Sequence, residues 1–148
     1  MPKSIHDPAA RAALLARVDQ LNPAAPARFG AMTAPRMVTH LIESARMAVG
    51  DLPVRARPSF LRNRLVRYLI LYVFPFPKGA PTAQELLARV PASWAADIAA
   101  LKAGIERAAA VGPHGVWAHH PAFGDLSGAD WGVLIHKHTD HHISQFGV

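Results

Sequence analysis

"SGADWGVLIHKHTDHHISQF", residues 127–146, is the stretch whose reading decides the fold. Ser127 can cap a helix, and Asp130, three residues on, stands in for the Glu of a capping box. Trp131, Leu134, Ile135, His138, His142 and Gln145 then recur at offsets that are sums of three and four, so they share one helical face. The spacing predicts a helix running towards Phe146 whose apolar stripe carries two imidazoles one turn apart. His136 falls well round this helix from His138, and His141 sits at the edge of the stripe.

The same periodicity recurs upstream. Asp7-Pro8 opens a first helix with Leu14, Val18 and Leu21 at helical spacing, ended by Asn22-Pro23 and a loop "PAAPARFG". Thr33 caps a second, with Pro35 in its first turn, a stripe of Met37, His40, Leu41, Ser44 and Ala48, and Gly50 as its stop. Residues 51–59 read as a connector. Ser59 opens a third, broadly apolar helix with Leu61, Leu65, Leu69 and Tyr72 on one side, closed by "PFPKGAP", and "TAQELLARV" adds a short helical turn. The fourth long helix begins near Ser93 and places Trp94, Ile98, Leu101, Ile105 and Ala108 inward before Gly112-Pro113. A long irregular connection, "HGVWAHHPAFGDLSG", leads to the last helix. With no strand signal and no internal repeat, the expectation is one all-α domain over residues 1–148, a four-helix bundle with long connections and a short extra helix.

Composition narrows the function. The chain has 148 residues, 51% of them hydrophobic and 18% charged, which is globular and long enough for a core. It has no cysteine, so disulfides, zinc–thiolate sites and a cysteine nucleophile are excluded, and any metal must sit on His, Asp, Glu or water. No Ser-His-Asp arrangement and no glycine-rich phosphate loop competes. The most apolar run, "YLILYVF" (68–74), is far short of the roughly 20 residues of a membrane span, and the N-terminal stretch reads as a capped helix without a secretory pattern. A cytoplasmic location is the default expectation. The formal charge is +6, and Arg55, Arg57, Arg62, Arg64 and Arg67 cluster in one segment. With no nucleic-acid recognition motif beside the charge, this reads as a solvated basic face or an anion-attracting rim, not a nucleic-acid surface.

Four of the nine histidines fall between residues 136 and 142. Residues at i and i+4 have Cβ atoms about 5–6 Å apart, so His138 and His142 can reach one ion. His40 occupies a stripe position where an apolar residue is expected, and a facing helix could bring it to the same ion. Each position also admits a hydrogen-bonded core histidine, so a metal site and a structural histidine cluster both stand. His119 and His120, in a loop before a proline, read as solvated or as a pocket rim. Glu43, three residues after His40, could reach the ion as a fourth ligand or serve as a general base. Asp140 points away from the His138 side and reads as a surface-pairing group.

"MTAPRMVTHLIESARMAVGD" (32–51) and "HPAFGDLSGADWGVLIHKHTDHHISQFGV" (120–148) together resemble a branch of the DinB/YfiT-like superfamily of metal-dependent enzymes, one ending in a KHxDHHxxQFG motif. The two stretches cover about a third of the chain. Phe29-Gly30 departs from the Trp-Gly pair common in that branch. The resemblance implies a four-helix bundle holding one divalent metal on His40, His138 and His142; three imidazoles suit zinc or nickel foremost, with iron as a further option. It also implies a homodimer, which the apolar third helix would suit. His141 and Gln145 match the motif and would orient an imidazole or bond a substrate. Relatives resemble thiol transferases, amide hydrolases or isomerases. The expected function is therefore activation of water or a low-molecular-weight thiol against a small-molecule substrate. The alternative is a non-catalytic metal- or ligand-binding bundle.

Overall fold

Asp7, Thr33, Ser93 and Ser127 each have extended backbone and a side-chain oxygen that accepts an N–H of the following turn. Each such cap contributes about 1 kcal/mol and fixes where its helix begins. The computed structural model describes residues 1–148 and is all-α, with α1 at Pro8–Val18, α2 at Ala34–Ala48, α3 at Arg64–Tyr68, α4 at Trp94–Val111 and α5 at Gly128–Ser144. At α5 both halves of the capping box form, Ser127 taking the Asp130 N–H and Asp130 the Ser127 N–H.

α2 is the central element, with 11 of its 15 residues buried. It packs against α4, α5 and a 3-10 turn at Gln84–Leu87, while α1 lies on α5 and α4. The core joins Leu14 and Val18 of α1, Met37, Val38 and Leu41 of α2, Leu101 and Ile105 of α4, and Trp131 and Ile143 of α5, all nearly without exposure. Full burial of such side chains contributes about 1.5–3 kcal/mol each. Trp94 and Ile98, expected on the inward stripe of α4, pack against the core but are only half-buried, so full burial on this stripe begins at Leu101. The N-terminal segment docks directly on α5: Ile5 N–H donates to the Gly132 carbonyl at 3.1 Å, and a Cβ at position 132 would meet the His6 ring at 2.3 Å. Only glycine permits that approach.

The third helix differs from its sequence expectation. In place of one helix opened by Ser59 there is a 3-10 turn at Phe60–Arg62, the short α3, and a π-helical turn at Leu69–Val73. Asn63 causes the break: its backbone is extended, and its side chain accepts the Leu65 and Val66 N–H groups, so it restarts the helix in mid-segment. The register slips, Leu65 becomes 65% exposed, and Leu71 alone of α3 and the π turn is buried. Polar groups of α5 hold the segment in place. Lys137 Nζ donates to the carbonyls of Ile70 (2.6 Å), Leu71 (3.2 Å) and Phe74, and the Tyr72 hydroxyl donates to Asp130 Oδ1 at 2.5 Å. These carbonyls are the ones a helix C-terminus leaves open. No helix is long and apolar enough to cross a membrane.

Candidate metal centre

α2 and α5 meet at three histidines. His138 Nε2 lies 3.2 Å from His40 Nε2 and 3.0 Å from His142 Nε2, and ligand atoms of all three lie within 4.8 Å of one another. The rings are mutually edge-on, with interplanar angles of 74° to 86° and centroids 4.6–5.1 Å apart. The short Nε2–Nε2 distances show that His40 and His142 each turn a nitrogen towards His138 Nε2.

Hydrogen bonds outside the cluster fix two of the three tautomers. His40 Nδ1 donates to the Leu86 carbonyl at 3.3 Å, and His142 Nδ1 donates to Gln145 Oε1 at 2.7 Å. A carbonyl can only accept, so His40 carries its proton on Nδ1 and presents a lone pair at Nε2. The Gln145 amide is oriented by its other end, where Nε2 donates to the Phe29 carbonyl at 3.4 Å, so Oε1 faces His142. His142 therefore also presents a lone pair at Nε2. Three nitrogens around one point carry at most one proton among them while the imidazoles are neutral. Burial keeps them neutral: desolvation, reinforced by neighbouring histidines, pushes His138 well below the usual imidazole range and His142 down to about 4. Desolvation also lowers His40, against a smaller upward pull from the Leu86 carbonyl.

This donor set fits a divalent cation. Zinc–nitrogen bonds of about 2.0–2.1 Å at tetrahedral angles separate ligating nitrogens by about 3.3 Å, close to the 3.0 and 3.2 Å spacings here. Neutral imidazoles with Nδ1–H tied to an oxygen, as in His40 and His142, are the arrangement metal-ligating histidines adopt.

Glu43 is not brought to the cluster. Its buried carboxylate receives Arg46 Nη1 at 2.8 Å and Arg89 Nη1 at 3.3 Å, and it does not line the cavity beside the histidines. On α2, an offset of three residues turns it towards the arginines; the spacing that suggested a ligand could not show Arg89 arriving from 46 residues away. Asp140 pairs with Arg17 of α1 on the opposite side of α5, as its register predicts. His136 is buried facing α1, where its neighbours include Asp140 and Arg17, not the cavity.

The three histidines open onto a cavity of about 1290 Å³. His141 lines it too, its ring against Phe29 (5.4 Å) and Phe76 (5.2 Å) and without a hydrogen-bond partner in the chain. Desolvation, helped by Lys78, holds this imidazole below its ordinary value. Gln145 lines the wall beside His142. Phe76, from the proline-rich loop after α3, also packs 5.4 Å from His138, a contact with no periodic signal in the sequence. The two histidines of the "HH" pair divide between the two readings: His120 lies in the cavity wall against Phe123 and Trp131, while His119 is exposed and pairs with Asp125 at 2.7 Å. The π turn, the 57–61 segment and the 120–123 loop complete the walls. No family model, curated protein or solved structure matches the chain.

Proposed function

We propose that this chain is a metal-dependent enzyme of the DinB/YfiT-like type, a four-helix bundle of α1, α2, α4 and α5 that uses His40, His138 and His142 to hold one divalent ion. The observation that carries this reading is the convergence of three neutral imidazole nitrogens on a point open to a large cavity. A structural site is normally closed by a fourth protein ligand, whereas a catalytic one keeps positions for water or substrate. Here the nearest candidate for closure, Glu43, is committed to two arginines.

A bound divalent ion supplies Lewis acidity, lowering the pKa of a coordinated water from about 15.7 towards 7 or ionising an incoming thiol. The chain's own residues do the remainder. Gln145 and the Leu86 carbonyl hold two imidazoles in the ligating tautomer and orientation. His141, neutral and without a partner, faces the cavity beside the ligands and can accept the proton released by water or thiol and return it to a leaving group. Phe29 and Phe76 flank it and limit water at that wall. The reaction class is transfer of a thiol, or of water, to a small electrophile.

The test is metal analysis of tag-free protein beside H138A/H142A. Near one ion per chain is expected, absent from the folded variant. At a metal concentration 100 times Kd, binding stabilises by about 2.7 kcal/mol, a rise in Tm of roughly 5–10 °C that the variant should lack. Protein that takes up neither zinc nor nickel would sink the proposal. Turnover is then sought with a low-molecular-weight thiol and a fluorogenic electrophile, where H141A should fall below wild type with its metal retained.

The proposal extends to a homodimer. Phe60, Leu65, Tyr68, Val73 and Phe74 are each more than half exposed along one segment, an apolar surface a second copy would cover.

A further inference from the structure

The cavity's charge distribution points to what enters it. Of the charged side chains that line it, two are arginines, Arg36 and Arg57, and none is acidic. Both are exposed, and neither guanidinium takes part in an ion pair. Other arginines of this chain are committed: Arg11, Arg17, Arg46, Arg89 and Arg107 to carboxylates, and Arg62 and Arg67 to carbonyls. Arg36 lies in the first turn of α2, where no acidic residue offsets the positive end of the helix. A guanidinium there is unfavourable unless an anion joins it. Lys78, 4.4 Å above the Phe29 ring, adds a third cation between Pro77 and Gly79 of the cavity wall.

The interior is different. Half of the lining residues are hydrophobic, among them Met32, Phe76, Phe123 and Trp131. The volume, about 1290 Å³, exceeds the roughly 300–1,000 Å³ of an ordinary small-molecule pocket, so it accommodates an extended apolar body. Burial of such a body follows from the hydrophobic effect, and a terminal carboxylate or phosphate matches the fork of an arginine.

We infer that the substrate of this site is an amphiphilic organic anion, its apolar body in the cavity beside the histidines and its carboxylate or phosphate on Arg36 and Arg57. This rests on the reading of the cavity as the chamber of a metal site, but the two parts fail separately. The arginines select charge; the ion, by contrast, needs only the imidazoles.

The experiment is calorimetric titration of the zinc-loaded full chain with decanoate, decyl phosphate and decylamine, with metal content measured on every sample. Wild type should bind both anions and discriminate against the amine by at least tenfold. Because both arginines are exposed and unpaired, R36A/R57A should fold, keep its metal, and bind the anions at least tenfold more weakly. Anion and amine binding alike, or anion affinity unchanged in R36A/R57A, would overturn the inference. Affinity lost in H138A yet insensitive to the arginines would also overturn it, by placing the anionic group on the metal. Metal-free wild type that binds decanoate through the arginines would uphold the ligand class and remove the metal reading alone.

Discussion

Gln145 Oε1 accepts the Nδ1 proton of His142 at 2.7 Å, and the same amide donates from Nε2 to the Phe29 carbonyl, so a loop before α2 sets the tautomer of a histidine on α5. The Arg28 N–H to Gln145 carbonyl bond, 2.7 Å, ties the two segments a second time. Q145L should therefore free the His142 ring and lower zinc affinity about 10–100-fold, read by competition with a chelating dye. Q145E keeps an acceptor at that position and should recover most of the loss. Equal affinities in all three proteins would show that Gln145 does not orient the imidazole.

Gly30 explains why that loop can sit so close. Its φ is +78°, and a Cβ there would lie 2.8 Å from Gln145 Nε2. G30A should cost about 1–2 kcal/mol for the left-handed backbone and, in addition, weaken metal binding by displacing the amide. Gly79, at φ +73° with nothing within 4 Å of its Cβ position, isolates the backbone cost. G79A should lose stability in denaturant titration while binding zinc as wild type does.

His120 makes the fold acid-sensitive. Burial, with a smaller contribution from His119, pushes it down to about 4 from the ordinary 6.5. Its Nδ1 accepts the Ala122 and Phe123 N–H groups, both at 3.0 Å, and protonation would oppose those bonds. The unfolded chain takes up the proton first, so this contribution to stability is full above pH 6.5 and is lost as pH falls towards 4. Between pH 7 and 5 the loss from this group is about 2 kcal/mol. H120N retains an acceptor at the Nδ1 position and cannot titrate. Urea unfolding at the two pH values should show a smaller acid loss in H120N; identical losses would rule His120 out as the source.

The exposed apolar segment gives a test of assembly. L65K/V73K places two ammonium groups on residues that are 65% and 54% exposed, so the monomer fold should be unaffected. Light scattering on an eluting peak should read a dimer for wild type and a monomer for the variant. A monomeric wild type would remove the dimer from the proposed function.

Helix starts and the histidine face were legible in the sequence because both are local. A cap needs one side-chain oxygen two or three residues before the N–H it accepts, and Asp7, Thr33, Ser93 and Ser127 all supply one. The 3.6-residue period alone puts His138 and His142 on the face of Trp131, and His40 on that of Met37 and Leu41. Asn63 shows the limit of that logic: its capping bond is as local as the others, but the apolar run around it outweighs a single asparagine when only periodicity is counted.

Gln145, three residues after His142 on the same face, was legible, but the other groups that gather around the three imidazoles came from the tertiary structure. The Leu86 carbonyl is a backbone atom of a short turn, Phe29 and Phe76 lie in irregular loops, and Arg89 reaches Glu43 across the α2 face. None of these contacts repeats with a period, because each is set by where a connection crosses the helices. By itself the sequence determined which side chains share a helical face; only the packing of α2 on α5 decided that their nitrogens converge, and only the docking of the 84–87 turn on α2 brought Arg89 to Glu43. The physical reason is range: hydrogen-bonded helix geometry acts over a few residues, whereas the placement of loops follows from burial of the whole core.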